Sequence, residues 1–339
     1  MNIKNLNCFV DLHLHLDGSL SLSTVKMLAK QQGIPLDMTD TQLKQLLTVP
    51  KGCKDLNEYL TKFVFPLRLM QTEQALEESI YNLLCTLDKQ GVMYCEVRFA
   101  PQLHMQKGLS QKQVIEAVLK GLEKMESSPE YTIKAGVILC CMRGEHNEQQ
   151  NIETVEEAAK YLNKGVCGVD LAGAEALYPT AQYGELFQRA KNLQIPITIH
   201  AGEAAGSESV KQAVHMGAVR IGHGIHAAYD PAVLELLKQR NIVLELCPTS
   251  NLNTKVVENI LDYPIMEFIK YGVKITVNTD NMTVSDTDIR KEIQILVDTF
   301  SIEDGLLRQL LYNAVDAAFT TEEVKEQLKR RIEGNFLIG

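Results

Sequence analysis

The sequence contains few features of membrane, nucleic-acid-binding or disulfide-stabilised proteins. No stretch approaches the roughly 18 consecutive apolar residues that indicate a membrane-spanning helix. The 34 basic residues are scattered among 43 acidic ones and form no run that could follow a phosphate backbone. The eight cysteines show no CxxC spacing, so neither a zinc knuckle nor a redox pair is indicated. We therefore expect neither nucleic acid nor a membrane as a partner.

The composition is that of an ordinary globular protein. Hydrophobic residues make up 45% and charged residues 23% of 339 positions, which argues against disordered, collagen-like and coiled-coil proteins. The opening MNIKNLNCFVDLH lacks the apolar core of a secretory signal, so we expect a cytoplasmic protein with reduced cysteines. A chain of this length builds a core without disulfides or a structural metal. Any metal is therefore expected to serve chemistry.

Short β-branched runs alternate with amphipathic stretches, a pattern typical of βαβ units and a parallel sheet. Eight runs are predicted as strands: residues 8–16, 92–99, 132–141, 166–172, 195–200, 219–223, 241–247 and 273–279. Helices are predicted near 71–90, 110–127, 151–163, 180–193, 206–216, 230–239 and 260–271, and from 284 to the end. Eight such units predict a single α/β domain over 1–339, a (β/α)8 TIM barrel with extra helices after strand 1 and at the C-terminus.

The connection between the first two strands is about 75 residues long, which is too long for a bare loop. Within it, segment 55–70 has an apolar face with helical spacing. That face consists of Leu56, Tyr59, Leu60 and Phe63. Because the segment follows strand 1, it either roofs a pocket at the mouth of the barrel or packs on the flank, and the pattern favours neither.

Strand 1 places four polar residues on one face: Asp11, His13, His15 and Asp17. Burying such groups without partners would cost on the order of 1–3 kcal/mol each. A bound cation would remove that cost. A His-x-His pair alone is a weak signal, because histidines that are hydrogen-bonded in an ordinary core are commoner than metal ligands.

Further polar residues close other strands: His200 ends strand 5, His223 ends strand 6 and Asp280 ends strand 8. Three neutral imidazoles and one carboxylate at the same end of a barrel form an N3O donor set. Such a set suits zinc or another divalent transition metal and leaves an open position for water. Glu203 follows three residues after His200, where it either reaches a substrate or is an ordinary first-turn glutamate. Glycines on both sides of His223 allow a bulky group to approach the backbone.

Six short segments occur in order at the ends of successive predicted strands. They are VDLHLHLDGSL at 10–20, DLAG at 170–173, IHAGE at 199–203, GHGIH at 222–226, ELCPTSN at 245–251 and VNTDN at 277–281. Together they resemble the adenosine deaminase family within the metal-dependent amidohydrolase superfamily. The resemblance spans the whole chain.

The resemblance implies an enzyme with one zinc ion per chain and water as the fifth ligand. The implied protein ligands are His13, His15, His200 and Asp280. It also implies that Glu203 protonates N1 of the purine, that His223 orients the attacking hydroxide, and that Asp280 accepts a hydrogen bond from it. The implied reaction is hydrolytic deamination of adenosine, and of 2′-deoxyadenosine, to inosine and ammonia in purine salvage.

The resemblance extends to substrate binding. It implies that Asp17 binds a ribose hydroxyl near the 5′ end and that the backbone N–H of Gly173 donates to purine N3. Asn281 stands where better-known members of the family have a carboxylate facing purine N7. An aspartate there must be protonated to donate, whereas the asparagine amide donates directly. The face formed by Leu56, Tyr59, Leu60 and Phe63 matches the family's helical lid.

Two alternatives remain open from the sequence. A sister deaminase acting on adenine, or on another aminopurine nucleoside such as aminodeoxyfutalosine, would use the same metal machinery. A catalytically inactive nucleoside-binding relative is the second alternative, although the joint presence of the four ligands, Glu203 and His223 favours an enzyme. The oligomeric state is not indicated.

Overall fold

The computed structural model describes residues 3–338 and has a barrel of eight parallel strands. The strands are β1 (Phe9–His15), β2 (Val92–Phe99), β3 (Lys134–Met142), β4 (Val166–Ala172), β5 (Thr198–Ala201), β6 (Arg220–His223), β7 (Val243–Leu246) and β8 (Lys274–Val277). They pair in the orders β1-β2-β3-β4 and β5-β6-β7-β8. Single bridges, Val169 to Ile197 and Leu14 to Asp280, join the two sheets and close the ring. The predicted (β/α)8 fold is thereby confirmed.

Fifteen helices surround the strands in the described part of the chain. They are α1 (Leu22–Gln31), α2 (Asp40–Leu47), α3 (Leu56–Leu60), α4 (Val64–Leu69), α5 (Glu73–Lys89), α6 (Gln111–Glu126), α7 (Glu148–Tyr161), α8 (Gly184–Asn192), α9 (Ser207–His215), α10 (Pro231–Gln239), α11 (Pro248–Asn253), α12 (Ile265–Tyr271), α13 (Ile289–Phe300), α14 (Asp304–Ala317) and α15 (Glu322–Ile338). Over residues 3–338, none of these helices has the length and apolar character that crossing a membrane requires.

The long connection after β1 holds α1 to α4. The predicted helix at 55–70 is interrupted, because a 3₁₀ turn at Thr61–Phe63 separates α3 from α4. Pro66 in α4 has no N–H to bond the carbonyl four residues earlier, so a regular α-helix cannot run unbroken through this segment. Sequence periodicity did not reveal α1, α2 or the six-residue α11.

The barrel and the segment above its mouth pack in different hydrophobic clusters. One large cluster extends from Ile3 to Ile332 and fills the space between strands and helices. A small second cluster holds segment 49–63 against the connection that follows β8; its buried members are Val49, Cys53, Tyr59 and Val284. The segment above the mouth therefore rests on its own contacts rather than on the barrel core.

Candidate active site

Side chains from four strand ends meet at the mouth of the barrel. Nitrogen and oxygen donors of a buried group lie within 4.8 Å of one another; its members are His13, His200, His223 and Asp280. His15 reaches the same point, because its Nε2 lies 3.2 Å from His200 Nε2 and 3.4 Å from Asp280 Oδ1. The structure thus brings together all the histidines and the aspartate predicted from the strand ends. This buried arrangement of nitrogen and oxygen donors could hold a metal ion.

Carboxylates behind the site hold two of the imidazoles. His13 Nδ1 donates to Glu245 Oε2 at 2.8 Å, and His200 Nδ1 donates to Asp170 Oδ2 at 2.9 Å. Because the proton of each ring is on Nδ1, each Nε2 presents a lone pair to the site. His13 Nε2 is buried without a hydrogen-bond partner, which is the condition expected of a metal ligand.

Arg98 connects the two carboxylates. Its guanidinium donates to Asp170 at 3.0 Å and to Glu245 at 2.9 Å, and all three side chains are fully buried. Arg220 donates to the other oxygen of Glu245 at 2.6 Å. Buried carboxylates require such charge partners, since an unpaired buried charge costs several kcal/mol. The inner layer of the barrel therefore fixes the orientation of the imidazoles.

His223 differs from the other histidines in the partner of its Nδ1. Asn251 Nδ2 lies 3.1 Å from that nitrogen, and the Tyr263 hydroxyl donates to Asn251 Oδ1 at 3.0 Å. His223 Nδ1 therefore accepts, and the ring proton lies on Nε2. Burial lowers the pKa of His223 well below its ordinary value, so the ring is neutral. His223 thus presents an N–H donor to the cavity.

The backbone around the site is unusual in two places. His223 and Asp280 both adopt left-handed conformations, with φ of 62° and 59°. Such conformations cost non-glycine residues of order 1–3 kcal/mol and tend to occur at functional sites. Gly222 has no room for a side chain, because a Cβ would lie 2.9 Å from the His13 ring. The close approach inferred from the glycines beside His223 is therefore to the neighbouring imidazoles.

Glu203 lies on the cavity wall beside this group. Its Oε2 is 3.6 Å from His223 Nε2, and its Oε1 accepts a long hydrogen bond of 3.4 Å from the Thr254 hydroxyl. Burial, together with the carboxylates of Asp280 and Glu175, raises the pKa of Glu203 well above its ordinary value. A raised pKa favours the protonated carboxylic acid, which is the form that the predicted role of proton donor needs.

The site opens into a cavity of about 310 Å³ with a largely apolar wall. The predicted substrate residues all line it: Asp17, Gly173, Asn281, Leu56, Tyr59, Leu60 and Phe63. Burial raises the pKa of Asp17 to about 6, and its Oδ1 is buried without a partner. Asn281 packs on Gly18, where a Cβ would lie 1.8 Å from Asn281 Oδ1. The apolar face at 55–70 therefore roofs the pocket rather than packing on the flank.

Sequence reasoning missed the residues that support the site. Asp170 and Glu245 lie inside two of the quoted segments, DLAG and ELCPTSN, yet only their position behind the imidazoles shows their role. Asn251 closes the second of these segments, and its role is likewise visible only in the structure, whereas Glu175 gave no local signal. For Arg98 the available indication was the presence of two charged residues, Glu96 and Arg98, inside the otherwise apolar strand VMYCEVRF.

Comparison with known proteins agrees with this geometry. Residues 9–335 match the sequence profile of the family described as adenosine deaminase. The chain belongs to the adenosine deaminase family. It is 45% identical over 331 residues to an adenosine deaminase of Haemophilus ducreyi, covering 96% of each chain. It is 40% identical over 329 residues to one of Enterococcus faecalis, covering 97% of this chain and 96% of the relative.

A solved structure shows the same fold. The adenine deaminase of Arthrobacter aurescens superposes with a TM-score of 0.88 at 23% identity, covering 98% of this chain and 99% of that one. Membership of the family confirms the predicted hydrolase acting on carbon–nitrogen bonds and the predicted activity, deamination of adenosine.

Proposed function

We propose that this cavity deaminates adenosine and 2′-deoxyadenosine by hydrolysis, with zinc as the metal. The observation that carries the proposal is the buried carboxyl group of Glu203, whose pKa burial raises well above its ordinary value, beside a group of converging imidazoles. A cavity of about 310 Å³ lies at the small end of the range for ligand pockets, which suits one nucleoside. Family membership supports the same substrate class.

The proposed zinc ligands are His13, His15, His200 and Asp280. Three neutral imidazoles and one carboxylate form a donor set that zinc prefers. His223 is excluded because its Nε2 carries a proton, set by the amide of Asn251 on Nδ1. Ser250 donates to Asp280 Oδ2 at 2.5 Å, which leaves Oδ1 directed at the imidazoles.

The chain's own residues would then divide the chemistry among them. Zinc, when bound, lowers the pKa of water to about 7 and so supplies hydroxide at neutral pH. Glu203 donates its proton to purine N1, which makes C6 electrophilic. The N–H of His223 faces Glu203 and would hold the attacking oxygen in place, while Asp280 accepts its proton. Asp280 would then pass that proton to the amino group on C6, which leaves as ammonia, while the proton from Glu203 stays on N1. The proton that water loses on becoming hydroxide would restore Glu203.

Recognition of the nucleoside is assigned to the rest of the lining. We assign the ribose 5′ end to Asp17, purine N3 to the N–H of Gly173 and purine N7 to the amide of Asn281. A carboxylate beside the 5′ oxygen would repel a phosphate, so AMP is disfavoured. The apolar roof of Leu56, Tyr59, Leu60 and Phe63 would cover the base.

A substrate panel tests the proposal. Metal content is measured on the purified protein, and the zinc-loaded protein is assayed with adenosine, 2′-deoxyadenosine, adenine, aminodeoxyfutalosine and AMP. We expect adenosine and 2′-deoxyadenosine to have the highest kcat/KM and AMP the lowest. Preferred turnover of adenine or aminodeoxyfutalosine would instead favour a sister deaminase, and no turnover of any compound would favour an inactive binding relative.

The role of Glu203 is tested with Glu203→Gln. The amide keeps the shape but cannot donate a proton as a carboxylic acid does, so kcat should fall at least about 100-fold while zinc and inosine still bind. Unchanged kcat would contradict the assignment.

We further propose that residues 1–339 act as a single domain. The support is the one large hydrophobic cluster that extends from Ile3 to Ile332. Limited proteolysis should therefore yield no stable half of the chain, and a stable fragment that contains only part of the barrel would contradict the proposal.

A further inference from the structure

Glu175 lies behind the loop that carries Glu203 and is 2% exposed. Its carboxylate accepts hydrogen bonds from four successive backbone N–H groups. They belong to Gly202 at 2.7 Å, Glu203 at 3.0 Å, Ala204 at 2.8 Å and Ala205 at 3.0 Å. The Ser209 hydroxyl is a fifth donor, at 2.5 Å. The proposed chemistry gives this carboxylate no contact with substrate or metal, and its charge acts on Glu203 only by helping to raise the pKa of that group.

The loop that carries Glu203 belongs to no strand or helix. β5 ends at Ala201 and α9 begins at Ser207, so the four N–H groups lie outside both the strand ladder and the helix. Buried N–H groups need acceptors, and one carboxylate meets this need for all four. In return, these donors stabilise a carboxylate that would otherwise be buried without hydrogen bonds.

The position of the Glu203 side chain depends on this backbone. Its own hydrogen bond, to the Thr254 hydroxyl, is long at 3.4 Å, so side-chain contacts fix the carboxyl group weakly. The N–H of Glu203, by contrast, is held by Glu175 at 3.0 Å. Misplacement by about 1 Å costs catalysis on the order of 100-fold.

A hydrogen-bond chain ties the same carboxylate to the metal side of the site. Ser209 bonds Thr180 at 2.7 Å, and Thr180 accepts from Arg143 at 2.9 Å. Arg143 also donates to the backbone carbonyl of His200 at 2.6 Å. The loop with Glu203 is thus held in register with a proposed metal ligand.

We propose that Glu175 is a positioning residue that sets the location of Glu203 over the substrate through the backbone of residues 202–205. The inference rests on the proposed role of Glu203 as proton donor.

The test is a double-mutant cycle on the zinc-loaded protein, with kcat and KM for adenosine measured for Glu175→Gln, Glu203→Gln and the double variant. In Glu175→Gln, an NH2 group replaces one carboxylate oxygen. This group cannot accept hydrogen bonds from the backbone N–H groups that it faces, so we expect the loop to shift. We expect kcat to fall at least about tenfold, with KM changed less than about threefold. In the Glu203→Gln background, the same change should lower kcat by less than about twofold, because the group it positions is already disabled.

Glu157→Gln is the matched control, since Glu157 is also a buried carboxylate, 7% exposed, but bonds Lys160 on α7. Its kcat should equal that of the unmodified protein. The inference alone would be overturned if Glu175→Gln lowered kcat by the same factor with and without Glu203→Gln. It would also be overturned if Glu175→Gln left kcat unchanged while Glu203→Gln lowered it. Full activity of Glu203→Gln would overturn the proposed function as well.

If Glu175→Gln does not fold, Ser209→Ala replaces it in the same double-mutant cycle, because this change removes one of the five donors to the Glu175 carboxylate. A decrease in kcat of about two- to fivefold, absent in the Glu203→Gln background, supports the inference, and an equal decrease in both contradicts it.

Discussion

Single residues decide which nitrogen of each imidazole is free at the proposed metal site. The rings of His13 and His200 are protonated at Nδ1 because carboxylates accept there. His223 is protonated at Nε2 because an amide donates to its Nδ1. Histidines of similar burial in one cluster therefore have different chemistry, and the difference comes from the residue behind each ring.

Asn251→Asp should reverse the proton position on His223. A carboxylate accepts from Nδ1, so the proton moves there and Nε2 no longer donates from a neutral ring. We expect kcat to fall at least about tenfold with zinc retained. ¹⁵N NMR of the histidine rings should show Nδ1 of His223 unprotonated in the parent protein and protonated in the variant. An unprotonated Nδ1 in both would refute this account.

Asn281→Asp should introduce a pH dependence into substrate binding. In its proposed position facing N7, the asparagine amide would donate at any pH, whereas an aspartate would donate only when protonated. KM for adenosine should therefore rise at least about tenfold between pH 6 and pH 9 in the variant and stay nearly level in the parent protein. Parallel KM profiles for the two proteins would show that residue 281 does not face N7.

At the scale of elements, α3 and the 3₁₀ turn at Thr61–Phe63 form a roof that packs in the small cluster of Val49, Cys53, Tyr59 and Val284. The roof is fastened to the connection after β8 by a hydrogen bond of 2.8 Å between the hydroxyls of Tyr59 and Ser285. Sequence periodicity predicted the apolar face of this segment but not the break at residues 61–63. Periodicity reports which side chains share a face, whereas the break depends on how the segment fits over the cavity.

Ser285→Ala should loosen this roof. Losing a buried hydrogen bond costs about 1 kcal/mol, so the closed position becomes less populated and KM should rise about three- to tenfold with kcat nearly unchanged. Cleavage by a protease within residues 49–63 should become faster. Thr61→Ala, on the exposed side of the same segment, provides the control. Unchanged KM and cleavage would show that the bond does not hold the roof.

At the scale of the whole molecule, buried charges couple stability to pH. Glu292 in α13 is fully buried and accepts from the N–H of Thr249 at 2.9 Å and from the Thr287 hydroxyl. Burial raises its pKa from 4.5 to about 7. The folded state therefore binds more protons than the unfolded state between these values, and the free energy of unfolding falls as pH rises through this window.

Glu292→Gln should remove that part of the pH dependence. The shift corresponds to about 3 kcal/mol, so the variant should gain roughly this much stability relative to the parent protein between pH 4.5 and pH 8. Urea unfolding at several pH values measures it. Glu258→Gln should follow the parent protein, because the Glu258 side chain is 79% exposed. Parallel curves for Glu292→Gln and the parent would contradict the assignment.

The sequence by itself determined the eight βα units and the strand-end positions of His13, His200, His223 and Asp280. It could do so because these depend on local periodicity and on the rule that parallel strands end at one face. Only the tertiary structure decided which nitrogen of each ring is free and what holds Glu203. The deciding partners are distant in sequence, 28 residues for Glu175 and Glu203 and 147 for Arg98 and Glu245, and no local pattern records a contact made by folding.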